Sequence, residues 1–486
     1  MKMKTEEKLN MTMLCDFYEL TMGNGYFESG YKDHITYFDV FFRRVPDGGG
    51  FAIAAGLEQL IDYIENLHFS PEDIAYLRGR NLFSEEFLSY LEDFHFTGDI
   101  YAMPEGTPVF PREPMVIVRA KAIEAQLIET FTLLTINHQS LIATKANRIA
   151  RAARGRTVLE FGSRRAQGAE GAILGARASY IAGCSATACT MADQHYGSPA
   201  TGTMAHSWVQ MFPDEYTAFK TYCQLYPNNA TLLVDTYNVL RSGVPNAIRA
   251  FKEVLEPLGV TKCGIRLDSG DLTYLSRKAR EMLDEAGLTG CKIVASNALD
   301  EYIIRDLIRQ GARIDSFGVG ERLITSRSEP VFGGVYKLSA IEDDQGHILP
   351  KIKISENPAK ITTPHFKKVY RIFSRDTGKA EADLICVHDE EIDFTHPLEL
   401  FDPAATWKRK VYTNIEAREL LVPIFRGGEL VYQVPELQTS RAYCQRQVDA
   451  LWDEVKRFEN PHNYYVDLSQ KLWDIKQSLL TSHEMA

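Results

Sequence analysis

Between residues 156 and 320, short apolar runs alternate with helical ones, and no other feature of the chain constrains its fold as strongly. The runs are RTVLEFG (156–162), ATLLVDTYN (230–238), KCGIRLDSGD (262–271), CKIVASN (291–297) and RIDSFGVG (313–320). The later ones recur about every 30 residues, the length of a strand plus a helical crossover. The intervening segments carry helical signals: RAQGAEGAILGARASYIAG (165–183), a stretch near 244–258, LTYLSRKAREMLDEAG (272–287) and LDEYIIRDLIRQG (299–311). Strand–helix–strand alternation implies parallel strands. The expected fold class is α/β, an irregular (β/α) barrel, closed or nearly so. An open doubly wound sheet is the second choice.

The flanks read differently. Up to about residue 130, DHITYFDVFFRR (33–44) reads as a strand, AAGLEQLIDYIENL (54–67) as a helix, and the Pro-punctuated 98–120 as short antiparallel strands. This is an N-terminal α+β domain, 1–130, ahead of a barrel over 131–335. Beyond it, VYKLSAI, LPKIKIS and VYRIFS read as strands, and ALWDEVKRF and LSQKLWDIKQSLL as amphipathic helices. The region 336–486 is thus strands then helices, partly completing the N-terminal domain.

Composition excludes several classes of function. A formal net charge of −11 argues against a nucleic-acid surface. No apolar run is long enough to span a membrane. The N-terminal MKMKTEEKLNM lacks the apolar core of a secretory signal. The eight cysteines are scattered without a C-x-x-C pair; Cys184 and Cys189 lie closest, in sequence that reads as helix. Reduced thiols in a cytoplasmic protein are expected. The basic runs RIARAARGR (148–156) and FKKVYR (366–371) are either solvated faces or, less often, phosphate-binding.

In α/β barrels, chemistry collects at the C-terminal ends of strands. Here those ends carry Glu160, Phe161 and Arg164; Asp235; Arg266, Asp268 and Asp271; Ser296 and Asn297; Gly318 and Gly320. Acids, arginines and glycines suit a sugar phosphate with Mg²⁺: carboxylates hold hydroxyls or the metal, guanidinium forks hold phosphate, and a Gly turn admits backbone N–H groups. Singly, each has a plainer reading. Asp268 or Ser269 could cap the next helix, Asp235 could be a cap, Phe161 could be core, and GVG could be an ordinary turn. Agreement of five strand ends favours the functional reading. His206, in GTMAHSWVQ, has no second histidine at metal-ligand spacing. It is a core or capping residue, an acid–base group, or a phosphoryl acceptor that needs an orienting partner.

These residues lie in DFYELTMGNGYF (16–27), FDVFFRRVP (38–46), LEFGSRRAQG (159–168), GTMAHSWVQ, VDTYN, RLDSGD, ASN and FGVG. In this order, covering the chain to about residue 371, they resemble nicotinate phosphoribosyltransferase. The resemblance implies transfer of phosphoribose from phosphoribosyl pyrophosphate to nicotinate, with Mg²⁺ and coupled ATP hydrolysis through a phosphohistidine at His206. It implies catalytic roles for Asp235, Asp268 and Arg266, with Asp235 or Asp268 as candidate metal ligands. Nicotinate would bind among Tyr18, Phe161, Arg164 and Ser185, and phosphates at Ser296, Asn297, Gly318, Gly320 and Lys360. Tyr18 would come from a second subunit, so a homodimer with shared sites is implied. Ser185 replaces an acid of nicotinamide-using relatives, and an acid would repel the substrate carboxylate. His365 departs from the resembled family stretch, which usually has glycine there, and so bears on Lys360. The alternatives are a nicotinamide- or quinolinate-using relative, a non-catalytic phosphoribosyl-ligand binder, or an unrelated barrel with a phosphate site.

Overall fold

The computed structural model describes residues 10–484, and most of the charged N-terminal segment, 1–9, lies outside them. The chain divides into two compact units. One runs from Ile142 to Pro330; the other joins the chain up to Leu141 with Val331 onward. The first division falls at 141/142 and not near 130, because helix Glu129–Ala152 continues through the position expected for a linker. Among the described residues no helix is long and apolar enough to cross a membrane.

The central unit carries six parallel strands: β1 (Thr157–Glu160), β2 (Ala186–Thr187), β3 (Ala230–Leu233), β4 (Cys263–Leu267), β5 (Lys292–Ser296) and β6 (Ser316–Val319). Their order in space is β2-β1-β6-β5-β4-β3. The sheet is a barrel left open, since β2 and β3 share no hydrogen bonds. Residues that could close it are taken up by helices Thr190–Tyr196, His206–Gln210 and Glu215–Leu225, with a single bridge, Thr187 to Ala200, beyond β2. Ile265, Leu267, Ile293 and Leu232 are fully buried, with Phe219, Phe251 and Leu283 of the covering helices. Strand β2 also corrects the reading of Cys184 and Cys189: they flank a strand instead of sharing a helix.

The other unit interleaves the two ends of the chain. Its seven-stranded antiparallel sheet places strand Val335–Glu342 beside Ile35–Phe41 and strand Val422–Arg426 beside Asp99–Ala102. Of LPKIKIS only Leu349 and Pro350 are strand, within Ile348–Pro350. ALWDEVKRF, expected as a helix, forms turns. Leu451 and Val455 are both fully buried, so helical spacing is met without a helix. Gly50 packs against Val455 so closely that a Cβ would lie 2.1 Å from its carbonyl oxygen.

Within the basic runs, Arg148, Lys367 and Arg371 are held in internal ion pairs. Lys145 Nζ and Arg148 Nε each lie 2.9 Å from the buried Glu301 carboxylate. Lys367 Nζ lies 2.7 Å from Asp39, and Arg371 forms a bidentate pair with Asp383 at 2.9 and 2.6 Å. Buried cations need such partners, because an unpaired one carries a large desolvation cost.

Candidate active site

The C-terminal ends of β1, β3, β4 and β5 and the segment 202–206 converge on one network in the central unit. A pocket of about 400 Å³ is lined there by Phe161, Ser163 and Arg164, by Ala188, by Gly202 to His206, and by Leu233, Arg266 and Asp268.

Arg266 organises it. Its Nε donates to Ser296 Oγ at 2.8 Å and its Nη2 to Asp268 Oδ1 at 2.7 Å. Its Nη1 donates to Thr203 Oγ1 at 3.1 Å. The Ser296 hydroxyl donates to the same Asp268 oxygen. The guanidinium carbon stands 5.7 Å from the centre of the Phe161 ring. The fork expected to grip phosphate is therefore turned onto protein groups. Burial alone would raise the Asp268 carboxyl, but the Ser296 hydroxyl and Arg266 outweigh it and hold it below the usual range.

The capping alternatives are settled by geometry. Asp271 caps helix Leu272–Glu285, accepting from Tyr274 N–H at 2.9 Å, which leaves Asp268 for Arg266. Asn238 caps the helix after β3, so Asp235 is not a cap. Asp235 Oδ2 accepts from Asp268 N–H at 3.1 Å and from Ser269 Oγ at 2.6 Å. Its Oδ1 is buried with no hydrogen-bond partner. A buried carboxylate oxygen without a donor is costly in a folded chain, and a bound cation or ligand group would satisfy it.

His206 is the first residue of its short helix, and its side chain is 42% exposed. Its Nδ1 lies 3.1 Å from Thr236 Oγ1, and its Nε2 lies 4.0 Å from Asp268 Oδ2. With Nδ1 held by the Thr236 hydroxyl, Nε2 is available to react.

Glu160, at the end of β1, is fully buried. Burial raises its carboxyl; the Thr187 hydroxyl and Gly162 N–H offset part of that rise. Its Oε2 accepts from Thr187 Oγ1 at 2.6 Å, so it ties the turn carrying Phe161 to the end of β2. Glu160 positions the pocket from behind and does not line it.

Several expected residues stand elsewhere. Ser185 precedes β2, with its N–H on Val158 O at 2.7 Å, at the opposite end of the strand from the pocket. Three residue steps along the chain, roughly 10 Å, separate it from Ala188, which does line the pocket. Gly318 and Gly320 are explained by Phe161: a Cβ on Gly318 would lie 2.5 Å from the Phe161 ring, and one on Gly320 would lie 3.1 Å from its carbonyl oxygen. Ser296 has its hydroxyl engaged between Arg266 and Asp268. Asn297 is exposed at the end of β5, with φ of 88°. Tyr18 and Lys360 belong to the other unit: Tyr18 is 44% exposed on helix Phe17–Glu28, and Lys360 is exposed on the turn Pro358–Lys360. Thr203, Thr236, Ser163 and Ala188 went unread in the sequence. Thr236 adjoins Asp235, but a lone threonine carries no signal until its partner is known.

An α/β-barrel enzyme is what this fold and pocket define. Residues 13–137 match the N-terminal-domain model of nicotinate phosphoribosyltransferase, and residues 366–476 match its C-terminal-domain model. The nicotinate phosphoribosyltransferase of Bacillus subtilis strain 168 is 47% identical over 476 residues, covering 98% of this chain and 96% of the relative. The crystal structure of human nicotinic acid phosphoribosyltransferase aligns with a TM-score of 0.83 at 28% identity, over 96% of this chain and 100% of that one. A nicotinate-nucleotide pyrophosphorylase from Pyrococcus furiosus shares the fold, with a TM-score of 0.68 at 22% identity over 93% of this chain and 99% of that one. The chain belongs to the nicotinate phosphoribosyltransferase family.

Proposed function

We propose that the chain joins nicotinate to phosphoribosyl pyrophosphate, yielding nicotinate mononucleotide and pyrophosphate, and couples this to ATP hydrolysis through His206. The observation that carries the reading is that one pocket gathers Phe161, the Arg266–Asp268 pair and His206. The pyridine ring lies on Phe161, where a flat, electron-poor ring stacks well. Arg164 at the rim and the buried, unpartnered Ser163 hydroxyl are placed to meet its carboxylate. Ala188 puts no negative charge at the end of β2. As pyrophosphate leaves, positive charge develops at ribose C1, and Asp235 and Asp268 stabilise it from fixed positions. Arg266 is a positioning residue that holds Asp268 and the segment leading to His206.

Mg²⁺ fits the donor set. Mg²⁺ commonly takes one or two carboxylates and completes its shell with phosphates and water. The unsatisfied Asp235 Oδ1 is such a donor. When bound, the metal would neutralise the departing pyrophosphate. Asn297 and Gly320, at the ends of β5 and β6, take the 5′-phosphate, with Lys360 assigned to a phosphate as well. In the coupled step, the His206 Nε2 lone pair attacks the γ-phosphorus of ATP. The P–O bond to ADP breaks, and the Nδ1 proton stays on the Thr236 side. The second face of the pyridine is assigned to Tyr18 of the partner subunit, which makes the enzyme a homodimer. Tyr18, with Leu14, Phe17 and Met22, is exposed near the start of the chain.

The test is pyrophosphate release with phosphoribosyl pyrophosphate and Mg²⁺, given nicotinate or nicotinamide, with and without ATP, on the parent and on His206→Ala. Nicotinate-dependent release that ATP stimulates only in the parent is expected. Release with nicotinamide alone would move the substrate. ATP stimulation that survives His206→Ala would remove His206 as the acceptor.

A further inference from the structure

Two cysteines outside this site face each other. Cys263 opens β4 and Cys291 immediately precedes β5. The strands are parallel, with Lys292 opposite Gly264, which sets Cys291 opposite Cys263 one residue back. Neighbouring strands run about 4.8 Å apart. That spacing falls inside the roughly 4.4–6.8 Å range of Cα separations that a disulfide spans. Cys263 is half-buried, and Cys291 is buried behind it. The pair sits at the N-terminal ends of the strands, away from Arg266, Asp268 and Ser296.

We propose that Cys263 and Cys291 form a peroxide-oxidisable dithiol, with Cys263 the attacking thiol and Cys291 the resolving one. The neighbouring Cys291 thiol, helped by Arg280 and against some burial, pulls the Cys263 thiol below its usual value, while Cys291 Sγ lies 3.9 Å from Lys292 O. The Cys263 contact, with burial, pushes Cys291 up. Arg280 is fixed beside them, its Nη1 donating to Cys291 O at 2.6 Å. Asp315, whose charge opposes ionisation of Cys291, and the buried thiol of Cys223, beside Cys263, complete the surroundings. A half-exposed thiol stabilised as thiolate beside a second thiol is the arrangement that oxidises selectively. The Cys263 thiolate attacks a peroxide oxygen, the O–O bond breaks, and after proton uptake sulfenic acid and water form. The Cys291 sulfur then attacks the sulfenic sulfur and water leaves. The balance is two thiols and one hydrogen peroxide to one disulfide and two waters.

The other half-buried cysteine, Cys15, is an internal control. Burial, with Glu19 and Asp16, pushes its thiol up to about 12. The full-length reduced protein is treated with hydrogen peroxide, alkylated, digested and mapped by mass spectrometry. A Cys263–Cys291 linked peptide is expected to appear more than about tenfold faster than any Cys15 product and to revert with dithiothreitol. In Cys291→Ala, Cys263 accumulates as a dimedone-trapped sulfenic acid; Cys263→Ser forms no linked peptide. If Cys291→Ala does not fold, the parent map and Cys263→Ser decide. Linkage of Cys263 to Cys223, sulfenic acid at Cys263 without linkage in the parent, or equal rates at Cys15 and Cys263 would each overturn the proposal.

Discussion

Gly318→Ala isolates the role given to Phe161. Gly318 lies in β6, and a Cβ there would stand 2.5 Å from Phe161 Cδ2 and 2.7 Å from Cε2. Ordinary carbon–carbon contact is about 3.5–4.0 Å, so the ring edge must retreat by roughly 1 Å. The backbone cannot follow readily, because Phe161 N–H is bonded to Val319 O at 2.7 Å and its neighbour Gly162 is bonded to Glu160. The ring must therefore turn about its own side-chain bonds, away from β6 and into the pocket. Overpacking of this kind costs about 1–3 kcal/mol of stability. A displacement of 1 Å in a positioning group can cost about a hundredfold in rate. The expected result is a fall in kcat/KM for nicotinate of about ten- to a hundredfold, with a lower urea midpoint. Phe161→Ala removes the clash, so the double variant should be no less stable than Phe161→Ala alone, a coupling of about 1–3 kcal/mol between neighbours. Gly318→Ala with unchanged kcat/KM and midpoint, or a double variant whose stability losses simply add, would refute the reasoning.

Four further outcomes are expected. Asp235→Asn should raise the Mg²⁺ concentration needed for half-maximal activity at least several-fold, as read in a metal titration; an unaltered titration removes Asp235 as a ligand. His365→Gly should stabilise the protein by about 1 kcal/mol in urea unfolding, since His365 has a φ of 79° and non-glycine residues pay about that much there. Glu113, fully buried, has its carboxyl pushed far up by burial and by Asp383. A raised carboxyl contributes stability that is full below its unfolded pKa and is lost as pH rises through the folded one. Glu113→Gln should therefore flatten the decline in stability above pH about 4.5, whereas Asp383→Asn, which strands Arg371, should cost about 3–5 kcal/mol at neutral pH. In the same pH series, a Glu113→Gln profile that still declines like the parent's would show that Glu113 is not the group responsible.

Much of the site was legible because strand ends are legible. Apolar runs closed by polar residues are enough to group Phe161, Asp235, Asp268 and Ser296 at one end of the sheet. The pairing of Arg148, Lys367 and Arg371 is not legible, because helical or strand periodicity shows only that a cation exists, not that an acid faces it. Glu301 is 153 residues from Arg148, and Asp39 lies on another strand altogether. Strand β2 is not legible because it has only two residues, too short to leave a pattern.

The sequence by itself determined the alternation, the parallel sheet, the chemistry of the strand ends and the family, all of which depend on residue order and spacing along the chain. Only the tertiary structure decided partnership. It assigned capping to Asp271 and so released Asp268 to Arg266, left Asp235 Oδ1 without a donor, filled the space above Gly318 with Phe161, and stopped the barrel short of closure. These choices turn on distances between groups far apart in sequence, and burial makes each one costly to satisfy any other way.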